Sequence, residues 1–332
     1  MAKYAFATSN TLTKKAWEEK LFRNTTAKPY FSRFMGESED SAVQVKTDLT
    51  KEKGDTIYFG LVTDLDYKNY KTNGEVLEGN EQKLTDYNHS VVLEEYAIGV
   101  RDRGPLDRQR AMFSIDEVAK NRLTKAGADL IDYLCFTGIQ ASHTKTFYGG
   151  SATSTATLTA SDKITPILIS KVNTWASTGG NESQPIIRPI MVDGKPYRVM
   201  LVHDDVGFDL ENDSTFYQAR REAEVRGKEN PIFTGAYMIW NGVVVHKHPR
   251  VDITTTWGAS SNVNGAKCVL FGAQALCWAW GKRPKVVAEE FDYGREHGYG
   301  WTMMAKCNKP KFNSKDYGVV GVHVARTKIS DA

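Results

Sequence analysis

Three short constellations in this chain carry residue types that do chemistry. His246-Lys247-His248 ends a run of valines. On a strand, residues i and i+2 share a face, so both imidazoles would point the same way and could hold a metal ion. No third ligand follows at local spacing, and the structural alternative is a pair of histidines on an edge strand. His203-Asp204-Asp205 closes a second apolar run. Carboxylates beside an imidazole support general acid–base catalysis. The same acidic pair would equally cap a following helix by accepting from its free backbone N–H groups. The third constellation, residues 101–110, sets Arg101, Arg103, Arg108 and Arg110 among Asp102 and Asp107. Guanidinium forks pair with carboxylates at interfaces, so an interface network and a solvated loop are both open. The interspersed aspartates argue against DNA contact here.

The stronger catalytic signatures are missing. Gly194-Lys195, Gly227-Lys228 and Gly281-Lys282 continue into Pro196, Glu229 and Arg283, where a phosphate loop needs Ser or Thr. The sequence holds no Gly-x-Ser-x-Gly elbow, His-Glu-x-x-His pair or EF-hand loop, and Gly298-Tyr299-Gly300 lacks the third glycine of a dinucleotide fingerprint. Cys135, Cys268, Cys277 and Cys307 lie far apart with no C-x-x-C pair. They form neither a zinc set nor a secreted disulfide framework, and a reducing compartment suits them. The sequence therefore assigns no catalytic, cofactor-binding or metal residue.

The 332 residues hold 43 basic and 40 acidic side chains, a net charge of +3, with 41% hydrophobic and 25% charged residues. That excludes disordered, collagen-like and disulfide-scaffold classes. It leaves one elaborate domain or about two to three simple ones. Near-neutrality does not predict a protein that works by neutralising phosphates, which needs a clustered basic face. The most apolar stretch, residues 271–280, is shorter than the roughly 18 residues that span a bilayer, and the N-terminus lacks a signal peptide's apolar run. A soluble protein made in a cytoplasm is the expectation.

Residues 1–40 read as an arm. An amphipathic helix is predicted over 13–23 with Trp17, Leu21 and Phe22, and Pro29 then precedes Tyr30, Phe31, Phe34 and Met35. Those aromatics pack either on their own domain or on a neighbouring chain. Strands are predicted at 41–46, 56–62 and 90–100. Between the last two lies a polar excursion, 64–87, that holds Lys68, Lys71 and Lys83; structureless runs of that length are functional or disordered. A hairpin reaching away from the body explains it. A long helix is predicted over 115–136, with Ser114 and Glu117 as a capping box and Gly138 as its stop. Residues 139–160 read as loop, and 162–177 as a helix that tolerates Pro166 in its first turn. A strand at 197–203, a polar helix over 204–223, a hairpin over 237–248 about Asn241-Gly242, and an Ala-rich apolar helix over 267–281 follow. Strands at 285–291, 300–306 and 317–326 close the chain. The class is α+β.

The order of these features resembles a family. Leu77-Glu78-Gly79-Asn80-Glu81 is followed by a strand and by Gln109 before the long helix. Asn230-Pro231-Ile232-Phe233-Thr234-Gly235, Trp240-Asn241-Gly242-Val243-Val244-Val245 and Leu270-Phe271-Gly272-Ala273-Gln274-Ala275 come next. Glu290-Phe291-Asp292-Tyr293-Gly294, Lys309-Pro310-Lys311-Phe312-Asn313 and Asp316-Tyr317-Gly318-Val319-Val320 complete the pattern. Over residues 10–326 the chain is similar to the major capsid proteins of tailed bacteriophages with the HK97-like fold, in a group common in podoviruses. Pro310 and the 139–160 loop depart from that pattern.

The resemblance implies an N-terminal arm at 1–40, an extended loop and its base at 41–105, and a peripheral domain with a spine helix at 106–180. It implies a mainly axial domain at 181–280 and return strands at 281–332. It further implies a structural protein rather than an enzyme, with no cofactor. Many copies would form hexamers and pentamers of an icosahedral head around double-stranded DNA. Contact with the DNA would be non-specific, and scaffolding, portal and decoration proteins are possible partners; no membrane is involved. The protein would be made in the host bacterial cytoplasm and reside in the virion shell. Trp17, Phe31, Phe34, Lys68, Lys71, Lys83, Arg101, Arg103, Arg108 and Arg110 are the interface candidates. The alternatives are the shell of a bacterial nanocompartment with this fold, or a metal-dependent enzyme using His203, Asp204, Asp205, His246 and His248.

Overall fold

A computed structural model describes residues 29–47, 54–63, 65, 66, 68–110, 114–182, 184–192, 194–215 and 237–329. The helix expected over 13–23, with Trp17, lies outside the described residues. Two compact units divide the rest. The larger takes Pro29–Tyr96, Leu130–Arg283 and Met303–Ala332; the smaller includes Ala97–Asp129 and Pro284–Thr302.

A 3-10 turn (Tyr30–Phe34) leads into β1 (Met35–Gly36), β2 (Val43–Lys46), β3 (Thr56–Val62), β4 (Asp86–Val92) and β5 (Glu94–Arg101). Helices α1 (Pro105–Arg110) and α2 (Ile115–Gln140) follow, then β6 (Thr146–Tyr148), α3 (Pro166–Glu182), β7 (Ile190–Val192), β8 (Lys195–Val202) and α4 (Asp204–Glu211). Later come β9 (Met238–Trp240), β10 (Val243–Lys247), β11 (Ile253–Trp257), β12 (Val263–Phe271), β13 (Leu276–Phe291) and β14 (Glu296–Asn308). The short β15 (Lys311–Phe312) and β16 (Lys315–Asp316) precede β17 (Val319–Ala325).

The larger unit is centred on a sheet ordered β6-β17-β12-β8-β10-β9, with β11 added to β12 and β7 to β8. Its central strands are continuous apolar runs. Val199–Val202, Val243–Val245 and Cys268–Phe271 are fully buried. Helix α3 packs Leu168, Ile169, Val172 and Ala176 against Met200, Val202, Val243, Val245, Leu270 and Val322.

This sheet corrects the helix expected over 267–281. Those residues are the end of β12 and the start of β13. Residues 268–271 pair with β17 from Cys268↔Val322 to Phe271↔Val319, and 276–279 pair with β2. A strand covered on both faces loses the polar alternation that marks strands in sequence, and its apolar run cannot be told from a buried helix by periodicity.

Smaller adjustments have local causes. The predicted strand over 90–100 breaks at Leu93, whose N–H donates to Asp55 O at 2.7 Å and whose side chain packs on Ile57, Phe59 and Val91. Helix α2 opens as expected, Ser114 Oγ accepting from Glu117 N at 3.3 Å. It runs past Gly138, the expected stop, to Gln140, since Gly138 keeps a negative φ and does not break the helix. Helix α3 starts at Pro166 and not at 162; Pro suits the first helical position, and Thr165 Oγ1 caps it by accepting from Leu168 N. The loop over 139–160 contains β6, which pairs parallel with β17. The polar helix over 204–223 is α4 as far as Glu211, and 216–223 lie outside the described residues. The hairpin about Asn241-Gly242 is present, both residues at positive φ (46° and 76°) as a type I′ turn requires.

Candidate functional site

His246 and His248 do share a face, as strand alternation demands, but that face is interior and not a sheet edge. His246 is fully buried, and β10 lies between β8 and β9. Tyr30 lies 6.0 Å from the His246 ring and 4.6 Å from the His248 ring, and Phe136 lies 4.5 Å from His248. Phe31 and Phe34 complete the cluster against Phe136, His246 and Phe271. The buried Asp132 of α2 fixes the turn that brings them in, accepting from Tyr30 N at 2.7 Å and Phe31 N at 3.0 Å. Phe31 and Phe34 are therefore buried in the chain's own core, which corrects their expected place at a subunit interface. Burial, helped by Arg250 and Arg33, lowers the His248 pKa to about 4, so the ring is neutral at pH 7. No local sequence signal links Asp132 to Tyr30, so their pairing is not legible in the sequence.

The His203-Asp204-Asp205 motif is a cap with its roles exchanged. His203 is the N-cap of α4, its Nδ1 accepting from Asp205 N at 3.2 Å. The Asp205 carboxylate accepts from Arg326 instead. One turn on, the buried Asp209 pairs with Lys163 at 2.9 Å and accepts from Thr327 N at 2.7 Å. Asp205 and Asp209 of α4 thus hold Arg326 and Thr327.

Two of the four arginines of the 101–110 segment pair within their own unit. Arg101 Nε lies 2.5 Å from Glu296, and its guanidinium stacks over Phe291 at 4.3 Å. Arg108 Nε lies 3.0 Å from Asp102, and its Nη2 donates to Arg295 O at 2.6 Å. Arg103 and Arg110 are exposed. Asp102, Asp116 and His297 form the one group of potential metal ligands among the described residues, with ligand atoms within 4.8 Å of one another. Arg108 already stands in that group, 2.9 Å from the His297 ring. A guanidinium there supplies the positive charge that a metal would bring, so the cluster is an ion-pair network. His203, Asp204, Asp205, His246 and His248 form no such group.

The remaining candidates lie on the hairpin of β3 and β4, which pairs in register from Thr56↔Val92 to Val62↔Asp86. One face is anchored: Ile57, Phe59 and Val91 pack with Cys277 and Ala279. The other is bare, with Tyr58 60% and Val62 62% exposed. Beyond the strands, Lys68, Lys71 and Lys83 are exposed, and so are Leu65, Tyr70, Val76, Leu77 and Leu84. The excursion is thus less polar than its composition indicates. Its own contacts are local: Gln82 bonds both backbone groups of Asp66 at 2.8 and 2.7 Å, and Asn80 N donates to Leu77 O. A monomer rarely leaves so many large apolar side chains together in water; such surfaces mark interaction sites. No helix among the described residues is long and apolar enough to cross a membrane.

Comparison with known proteins identifies the family. A family profile described as phage capsid protein matches residues 5–136 and 139–327. The major capsid protein of Pseudomonas phage KPP25 is 26% identical over 96% of this chain and 97% of its own length. The capsid of Ralstonia phage GP4 superposes with a TM-score of 0.86 at 25% identity, each chain covered completely. That of cyanophage Pam1 gives a TM-score of 0.81 at 23% identity over 98% of this chain and 99% of that one.

Proposed function

The chain belongs to the phage capsid protein family, and on that premise we propose that it is the major capsid subunit of a phage, many copies of which build the head shell. The observation that carries the reading beyond family membership is the hairpin: it is anchored on one face and bare on the other, and its loop holds apolar side chains out of any core of its own. In a shell those side chains, with Lys68, Lys71 and Lys83, meet an adjacent copy. Residues 1–40, led by Trp17, act as the arm, and α2 acts as the spine helix of the peripheral region. Hexamers and pentamers are the assembly units. The subunit is made in the host cytoplasm, and its shell encloses DNA that it contacts without sequence preference. Scaffolding, portal and decoration proteins are its expected partners.

Catalysis has no place in this reading. Among the described residues, His203, Asp205, Asp209, His246 and His248 serve in caps, ion pairs and aromatic packing. The test is to express the chain, alone and with its phage's scaffold, and image the product by negative-stain microscopy. Closed shells or capsomers of uniform size are expected. A strictly monomeric species at every salt and protein concentration overturns the proposal.

A further inference from the structure

Two of the four cysteines face each other across the interior of the larger unit. Cys135 lies on α2 and Cys307 on β14, separated by 172 positions in sequence, and their sulfur atoms are 3.9 Å apart in a thiol–thiol contact. Cys135 is fully buried and Cys307 is 5% exposed. All four cysteines are free. Gly138, one turn after Cys135, also lies beside Cys307: a Cβ there would meet its carbonyl oxygen at 3.5 Å and its Sγ at 3.7 Å, ordinary contact distances. A disulfide needs its sulfurs about 2.05 Å apart with the Cβ vectors converging. Here the sulfurs are already neighbours, and closing the remaining gap requires rotamer adjustment of both side chains.

The geometry points to a redox-modification site, in which a small peroxide converts Cys135 and Cys307 to an intramolecular disulfide that staples α2 to β14. The two steps balance. Cys307 is the sulfur with residual exposure, so its thiolate attacks the peroxide. An S–O bond forms as the O–O bond breaks, leaving a sulfenic acid and one water. The Cys135 sulfur then displaces the sulfenic oxygen, its proton leaving with that oxygen as a second water. Two thiols are oxidised and one hydrogen peroxide is reduced. Burial pushes the Cys135 thiol well up, with Cys307 and Asp132 adding to the effect, which disfavours it as the first nucleophile and slows its resolving attack alike; its contact with Cys307 Sγ is what places it to resolve. Cys277 is the competing partner, because it too senses Cys307 electrostatically. Cys268 packs in the central sheet instead.

The consequence deepens the shell reading, on which its timing rests. The thiols persist in the reducing cytoplasm where shells are made, and the bond closes once particles meet an oxidising medium. The pairing itself depends only on the chain's own packing and is measured without particles. Purified full-length protein is reduced, desalted, exposed to hydrogen peroxide at neutral pH, then denatured in an alkylating agent and mapped by mass spectrometry without reductant. The expected product is one linked peptide pair joining Cys135 to Cys307, two hydrogens lighter than its reduced parts and reversed by dithiothreitol, with Cys268 and Cys277 alkylated. Oxidised wild type should melt above reduced wild type, whereas Cys307→Ser should show no such difference. Alkylation of all four cysteines after peroxide, a Cys277–Cys307 link, or sulfinic acid at Cys307 without a link overturns the proposal. These readouts come from wild type, so a variant that fails to fold leaves the test intact. Particles opened directly into alkylating agent then test the timing separately: a link already present there contradicts closure after release while leaving the pairing itself standing.

Discussion

The β3–β4 hairpin and the central sheet use the same backbone pattern and dispose of their apolar side chains in opposite ways. Val199–Val202, Val243–Val245 and Cys268–Phe271 are covered on both faces by the chain's own helices and loops. The hairpin covers one face and leaves Tyr58, Val62 and Val92 open, and its loop projects Tyr70, Val76 and Leu77 into solvent. The sheet draws its stability from burial within one chain, at roughly 25 cal/mol per Å² of apolar surface. The hairpin draws that contribution from Ile57, Phe59 and Val91 on one face, and on our proposal its open face and loop draw it from a second chain. Folding and assembly are therefore written in different residues, and substitutions should separate them.

The largest effect belongs to the sheet. Phe271 is fully buried on β12 and packs edge-on against Phe34. Phe271→Ala should cost about 3–5 kcal/mol of folding stability, read as a lowered urea midpoint of the free subunit, and shells should fail because folded subunits are scarce. A midpoint close to wild type would mean that the central sheet is not the stabilising core.

Acid should separate the regions next. Burial, the first cause for each, lowers His143, His248 and His323 to about 4. Around His143, Lys309 and His323 add to that lowering while Asp316 and a bond to Ile139 O oppose it. Lys267 adds to it at His323. The folded chain holds these rings neutral, while the unfolded chain protonates them near pH 6.5. Between about pH 6.5 and 4 the unfolded state thus binds more protons, and stability falls as pH falls through that window. Denaturant midpoints measured from pH 7.5 to 4.5 should drop steadily, and the drop should flatten in His143→Gln with His323→Gln. A flat profile in wild type would contradict the burial argument. The hairpin takes part only through His89 on β4, whose pKa burial also lowers, so substitutions in its loop should leave the profile unchanged.

The smallest effect on the free chain, and the sharpest on assembly, is expected from the loop. Val76→Ser with Leu77→Ser should shift subunit stability by no more than about 0.5 kcal/mol, as exposed substitutions do. The yield of closed shells, measured by sedimentation, should fall severalfold. Unchanged yield would remove these side chains from any interface.

What could be read from sequence follows the same division. Local signals were legible: the Ser114–Glu117 cap, Pro166 in a first turn, the Asn241-Gly242 hairpin and the hairpin's reach between two strands. Each is decided by neighbours in the chain. At the sheet's centre β8 and the β9–β10 hairpin were legible too, but β12 and the start of β13 were not, because burial on both faces erased the alternation of residues 267–281 and left a pattern that a helix shares. The candidate sites failed for a related reason. His246 takes its environment from Tyr30 and Phe34, Asp205 from Arg326, Arg108 from Asp102 and His297, and Cys135 from Cys307. Most of these partners are set by topology across a hundred residues or more. Charge density and motif spacing could not tell a satisfied internal network from an open surface. Exposure of the hairpin's apolar residues, which could, needs the fold.

The central claim is that the hairpin loop is a contact between copies. Trypsin tests it directly, because Lys68, Lys71 and Lys83 are exposed on a loop with few buried contacts, and such tips are the preferred sites of nicking. Free subunits and purified particles are digested side by side and the cut sites are timed by mass spectrometry. Free subunits should be cut first at these lysines, and assembly should slow the same cuts by an order of magnitude or more while cleavage at other exposed lysines changes less. Equal rates at Lys68, Lys71 and Lys83 in both states would show that the loop stays in solvent in the shell, and the account of the hairpin as the assembly contact would be wrong.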